Sequence, residues 1–154
     1  MVLLLVLNLH GAINSSGPVR KALEELKVVR RFSASVVPGD SSTLGTLKLC
    51  KDHVAWTPID TDLLAALLKK RGMVSTTKVL DSAVLKKMGY RDHEDLAAKM
   101  VEKEMRLSAV KGLRPFFRLA PPRGGFKRSM RRASSEQGLL GSNPKLSELV
   151  RRML

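Results

Sequence analysis

Residues 2–7 are apolar without a break. That pattern predicts a strand covered on both faces or shielded in the middle of a sheet. Residues 11–17 read as a loop. Pro18 then suits the first turn of a helix, with Ser16 or Gly17 as its cap. Val19, Ala22, Leu23 and Leu26 recur at i, i+3, i+4 and i+7 and form one apolar face, while Arg20, Lys21, Glu24, Glu25 and Lys27 fall elsewhere. In residues 31–37 the pattern alternates, with Phe32, Ala34 and Val36 on one side of a strand that Pro38 and Gly39 end. Asp40, Ser41 or Ser42 can cap a second helix carrying Leu44, Leu47 and Cys50. A short third strand over 53–57 stops at Pro58. The order β-α-β-α-β is complete by that proline.

The remainder reads as more helical. A helix over 61–71 is capped by Asp60 or Thr61 and closed by Gly72. It carries Leu63, Leu64, Leu67 and Leu68, with Lys69, Lys70 and Arg71 at the favourable end of its dipole. Two further helices are expected over 81–88 and 93–106. Residues 116–119 look like a late strand that runs into the Pro- and Gly-rich loop 121–125. Asn143 and Pro144 open a last helix, with Leu146, Leu149, Val150 and Met153 on one face. There is no internal repeat. The expected division is a core unit over 1–59 and an extension over 60–154.

Charge sharpens this picture. The 154 residues include 28 Lys and Arg against 14 Asp and Glu, a net charge of +14. Residues 1–60 hold 7 basic and 5 acidic residues, 61–110 hold 10 and 7, and 111–154 hold 11 and 2. Within 111–132, Lys111, Arg114, Arg118, Arg123, Lys127, Arg128, Arg131 and Arg132 meet no acid. Such a block repels itself and gains by meeting a polyanion. A membrane surface would require an amphipathic basic helix. Pro115, Pro121, Pro122, Gly124 and Gly125 forbid one here, so nucleic acid is the expected partner. Hydrophobic residues make up 44%, too many for a disordered basic tail. The apolar start has no basic residues before it and is far shorter than a membrane span, so a soluble intracellular protein is expected.

Catalytic signatures are missing. His10, His53 and His93 show neither an HExxH nor a Cys-His zinc spacing, and the single cysteine, Cys50, permits no disulfide framework. Gly124-Gly125 lacks the pattern of a phosphate-cradling loop. Arg131-Arg132-Ala133-Ser134 resembles a basophilic kinase site, a short pattern that arises by chance in basic chains. No enzyme, metal site or cofactor is expected. The aromatics are only Phe32, Trp56, Tyr90, Phe116, Phe117 and Phe126, too few for a stacking platform for single-stranded RNA. Phe32 and Trp56 are assigned to the core. Phe126, beside two glycines and Lys127-Arg128, is the ring expected to meet RNA.

Several stretches carry a resemblance: Val36-Val37-Pro38 through Gly45, then Asp52-His53-Val54, the segment Phe117-Arg118-Leu119-Ala120-Pro121-Pro122-Arg123-Gly124-Gly125, and the ending Leu149-Val150-Arg151-Arg152-Met153. Over nearly its whole length the chain resembles the large-subunit ribosomal protein family conventionally numbered thirty, in its long archaeal form, whose eukaryotic counterpart is numbered seven. The resemblance implies an α+β fold of ferredoxin-like character: a two-layer unit with an antiparallel three-stranded sheet, order 3-1-2, plus a C-terminal subdomain. The family often has Arg before the glycine of the second helix, where this chain has Leu44 before Gly45. Lys48 and Lys51, one and two turns later, are expected to take over that phosphate contact. Only three Asn and one Gln occur, a low amide content that leans toward a thermophile.

The implied role is a structural constituent of the large ribosomal subunit in the cytoplasm. Its partners would be large-subunit rRNA and neighbouring ribosomal proteins, with no membrane and no small-molecule substrate. The loop 121–132 is the first candidate for insertion between RNA helices, with Arg118, Arg123, Gly124, Gly125, Phe126, Lys127, Arg128, Arg131 and Arg132 as contacts. Its glycines allow close approach of backbones, and its prolines limit the entropy lost on docking. Arg123 suits bidentate phosphate contact. Arg20, Lys21, Arg30 and Arg31 form a second basic set. Residues 111–142 are expected to be largely mobile without RNA. The competing readings are a free-standing chromatin protein or RNA chaperone, and a small enzyme.

Overall fold

The structure, a computed structural model, describes residues 2–154. Strand β1 (Leu3–Asn8) lies inside the sheet and pairs antiparallel with β2 (Ser33–Pro38) on one side and β3 (Val54–Pro58) on the other, with Leu5 opposite Val36 and Thr57. Every residue of β1 and β2 is buried. Alternate side chains of β1 enter two different cores. Leu4 and Val6 pack with Ala22, Leu23 and Leu26 around helix α1 (Gly17–Glu25) and with Leu47 and Cys50 at helix α2 (Ser41–Leu49). Leu3, Leu5 and Leu7 pack on the opposite side with α3 (Thr61–Arg71), α4 (Ser82–Lys87), α5 (His93–Glu102) and α6 (Leu146–Met153).

The architecture is therefore α+β, with helices on both faces of one sheet. The expected three-stranded, two-layer unit is enlarged because residues 60–154 both cover its second face and extend its edges. Strand β4 (Phe117–Arg118) pairs antiparallel with β2. Strand β5 (Ser129–Ala133) pairs parallel with β6 (Gly138–Ser142), which pairs parallel with β3. The sheet is six-stranded and mixed, in the order β4-β2-β1-β3-β6-β5. Residues 111–142 carry three strands and bury Leu113, Phe117, Leu119, Leu139 and Leu140. The faces read at 31–37 hold, since Phe32, Ala34 and Val36 pack in one core and Val37 in the other, but the strand is shorter. β2 starts at Ser33, and Phe32 occupies the left-handed region at φ 60° in the preceding turn.

Helices α2, α3, α4 and α5 each begin after an aspartate, Asp40, Asp60, Asp81 and Asp92 in turn. None of these carboxylates makes a side-chain cap bond, so their contribution is charge at the positive end of the dipole. The helix expected to reach 106 stops at Glu102 because Glu104 turns left-handed at φ 49°. A 3-10 turn at Leu107–Ala109 follows.

Asn8 fastens the end of β1. It is fully buried, donates from Nδ2 to the Val28 carbonyl at 2.6 Å, and accepts at Oδ1 from the amides of His10 (3.0 Å) and Gly11 (2.7 Å). Asn8→Ala leaves those backbone groups unpaired and should lower stability by about 2–3 kcal/mol in urea unfolding; an unchanged midpoint would contradict this. Cys50 is buried, and desolvation pushes its thiol up to about 11 against a backbone hydrogen bond that pulls the other way. Iodoacetamide at pH 8 should therefore alkylate it slowly in the native chain and rapidly in denaturant; equal rates would show the site to be open.

Candidate nucleic-acid interface

Strand register decides which basic residues meet. Leu7 faces Ala34 and Ala55, Ser33 faces Arg118, Ala55 faces Gly141, and Ser129 faces Gly138. The C-terminal end of β1 therefore shares one end of the sheet with the starts of β2, β3, β5 and β6. Arg30 and Arg31 precede β2, Arg118 lies on β4, and Arg128 precedes β5, so separate segments of the chain bring cations to that end.

The basic loop is pinned there from two sides. On the sheet side, the His10 imidazole donates from Nε2 to the Met130 carbonyl at 2.7 Å. The Arg31 guanidinium donates to the Leu9 carbonyl at 3.1 Å, touches the Met130 sulfur at 4.0 Å and lies 4.7 Å over the Phe32 ring. Phe32 in turn stacks on Phe126, with centroids 5.9 Å apart. Phe126, the ring expected to meet RNA, is thus half-buried and packs against the core.

On the other side, the loop is clasped by α6. The Arg123 amide donates to the Arg152 carbonyl at 3.0 Å, and Arg152 Nη1 donates back to the carbonyls of Arg123 (3.4 Å) and Gly125 (3.2 Å). Pro122 is buried. Gly124 and Gly125 have φ of 78° and 73°, a conformation that side chains resist. Beyond the adjoining residues of the chain, no atom of the described residues lies within 4 Å of where a Cβ would stand on either. Within the chain, then, backbone conformation requires these glycines rather than close approach, and the space beside them is open.

The pinned loop displays its charge outward. Lys127, Arg128 and Arg132 line a cleft of about 400 Å³ together with Glu136 and Gln137. A smaller neighbouring cleft adds Lys145, Glu148 and Arg152 to the same Lys127 and Arg128. Lys145, Arg151 and Arg152 are not among the candidates that the sequence singles out. A signal for two of them exists, since the apolar face of the last helix leaves Arg151 and Arg152 on its polar side. Arg131 is exposed on β5. The Ser134 hydroxyl of the kinase-like pattern donates to the Ser142 carbonyl and ties the intervening turn to β6.

The other candidates lie apart. Arg20 and Lys21 on α1, Lys48 on α2 and Lys51 just beyond it are exposed in the helical layer that covers the opposite face from α6. Arg118 is exposed on β4, the edge strand remote from β5. Among the described residues no three His, Cys, Asp or Glu side chains could jointly hold a metal ion, and no helix is long and apolar enough to cross a membrane. The chemistry of the converging face is cationic: guanidinium and ammonium groups that attract phosphate.

These features define the class, an α+β protein with a cationic, polyanion-attracting face. Comparison with known proteins narrows it. The chain is 37% identical over 150 residues to the large ribosomal subunit protein uL30 of Nitrosopumilus maritimus, covering 97% of both chains. It is 39% identical to that of Ignicoccus hospitalis, covering 99% of this chain and 98% of the relative, and 33% identical to that of Nanoarchaeum equitans over the whole of both. No family model matches the chain. The chain belongs to the uL30 family of large ribosomal subunit proteins.

Gly138 offers a test of how the cationic cleft is built. A Cβ there would overlap the Arg132 carbonyl. Gly138→Ala should push β5 off β6, lower stability by about 1–3 kcal/mol and elute from heparin at lower salt; unchanged melting and elution would show that the cleft does not depend on this contact.

Proposed function

We infer that the protein is a structural constituent of the large ribosomal subunit, in the cytoplasm, and not an enzyme. It binds and stabilises folded large-subunit rRNA beside neighbouring ribosomal proteins. The observation that carries this reading is the convergence of cations from separate segments on one end of the sheet in a member of this family. Arg31, Arg123, Lys127, Arg128, Arg131, Arg132, Lys145 and Arg152 form the principal phosphate-contacting face. Phosphate contacts position the protein, and folded rRNA is read by backbone shape because its deep groove excludes side chains. The open space beside Gly124 and Gly125 lets an RNA strand approach the loop backbone closely. Phe126 acts from behind, holding the loop on Phe32.

Arg20, Lys21, Lys48 and Lys51 form a second, weaker contact surface on the α1–α2 layer, with Arg30 in the turn before β2 and Arg118 on the outer strand β4 as further contacts. Residues 1–59, with the antiparallel order β2-β1-β3 at their centre, constitute the ribosomal core unit of ferredoxin-like character. Residues 60–154 are the extension that completes the principal face. The free-standing nucleic-acid-binding module is not favoured by family membership.

Sucrose-gradient sedimentation tests the reading. The protein should travel with the large subunit in moderate salt and be stripped only in high salt; a peak at the top of the gradient in both would refute it. For the isolated protein on an rRNA fragment, Arg128→Ala or Arg132→Ala removes one cation from a phosphate. Each substitution should make the log-log salt slope shallower by about 0.7–0.9. Slopes equal to wild type would remove those residues from the interface.

A further inference from the structure

A second concavity lies at the same end of the sheet but outside the cationic face. It is a slot of about 330 Å³ between the turn that joins α1 to β2 and residues 115–116. Val29, Pro115 and Phe116 supply its apolar surface, and Lys27 and Arg30 line it beside Glu24. The turn separates two adjacent valines: Val28 is fully buried, whereas Val29 is 38% exposed and faces outward. Arg114 adds a third cation, its guanidinium lying 5.3 Å over the Phe116 ring.

The walls are already held. The Ser35 hydroxyl donates to the Pro115 carbonyl at 2.9 Å, and the Arg114 amide donates to the Met73 carbonyl at 2.8 Å. Opposite them, the Lys27 amide donates to the Glu24 carbonyl at 3.1 Å and the Val28 amide to that of Leu23 at 2.9 Å. A preformed site loses little entropy on binding. Its volume suits one ring system with its attached sugar and is too small for a helix, which measures about 10–12 Å across. An apolar floor with an aromatic ring and a cationic rim matches a planar base joined to a phosphate. Position points the same way. Arg30 lines the slot while the adjacent Arg31 is tied to Met130 of the cationic face, so the slot adjoins that face.

We propose that this slot receives a single unstacked base of the rRNA, held against Phe116, Pro115 and Val29 while the adjoining phosphate meets Lys27 and Arg30. The proposal rests on the ribosomal reading and names a nucleotide contact separate from the phosphate-binding face.

The test uses purified large subunits that carry the full chain with Phe116 replaced by the photoreactive p-benzoylphenylalanine. After irradiation, an adduct to an rRNA nucleotide is the expected result. An adduct to another protein, or none, overturns the proposal. In parallel, Phe116→Ala should weaken binding of the isolated protein to its rRNA fragment about tenfold at fixed salt, and Phe116→Tyr should restore it. Val29→Ser, at an exposed position, serves as the second variant should Phe116→Ala melt early; wild-type affinity in the folded variant again overturns the slot. A chain that never enters the subunit would sink the ribosomal reading itself, a result distinct from entry without the nucleotide adduct.

Discussion

The double burial of β1 governs the rest of the structure. A strand with Leu3, Leu5 and Leu7 on one side and Leu4 and Val6 on the other has no face to offer water. Each buried leucine contributes about 1.5–3 kcal/mol only if something apolar covers it. Helices α1 and α2 cover one side. The other side obliges the chain to continue through α3 and α5, which lead to residues 111–154 and to the α6 that completes the cover. The cationic face is thus a dependant of the core: Arg123 and Arg152 meet because Leu149, Val150 and Met153 of α6 are drawn onto the leucines beneath.

The first half of the fold is legible in the sequence because its signals are local. An unbroken apolar run, Pro18, Pro38-Gly39 and the aspartates before α2 and α3 lie within a few residues of the structure they dictate. Strands β5 and β6 escape such a reading because their signals are not local. In β5, Ser-Met-Arg-Arg-Ala has no apolar period and four exposed positions. In β6, only Leu139 and Leu140 are apolar, between glycines. Its place is fixed by β3, far away in sequence, and by Asn143, whose amide donates to the Trp56 carbonyl at 3.0 Å.

The candidate interface is legible as a charge excess but not as a shape. Counting Lys and Arg locates the basic block without saying which cations share a surface. Arg31 joins it through Met130 and the Phe32–Phe126 stack, interactions that span about a hundred residues. Arg20 and Lys48, equally basic, fall in the opposite helical layer. Phe126 is legible as a candidate, but its stack on Phe32 is a contact that only the tertiary structure supplies. Arg152 has two roles at once, because a guanidinium with five donors can clasp two carbonyls and still present charge.

The parallel pairing of β6 with β3 sets a timetable for synthesis. Strands β1 to β3 with α1 and α2 can assemble while the rest of the chain is still being made. The place that β6 fills beside β3 stays open until residue 142 has left the tunnel, and the clasp on loop 121–125 waits for α6. Pairings this distant in sequence form late and slowly. A nascent chain therefore carries its arginines before it can arrange them, and acquires a shaped cationic face only after its last strand has joined the sheet.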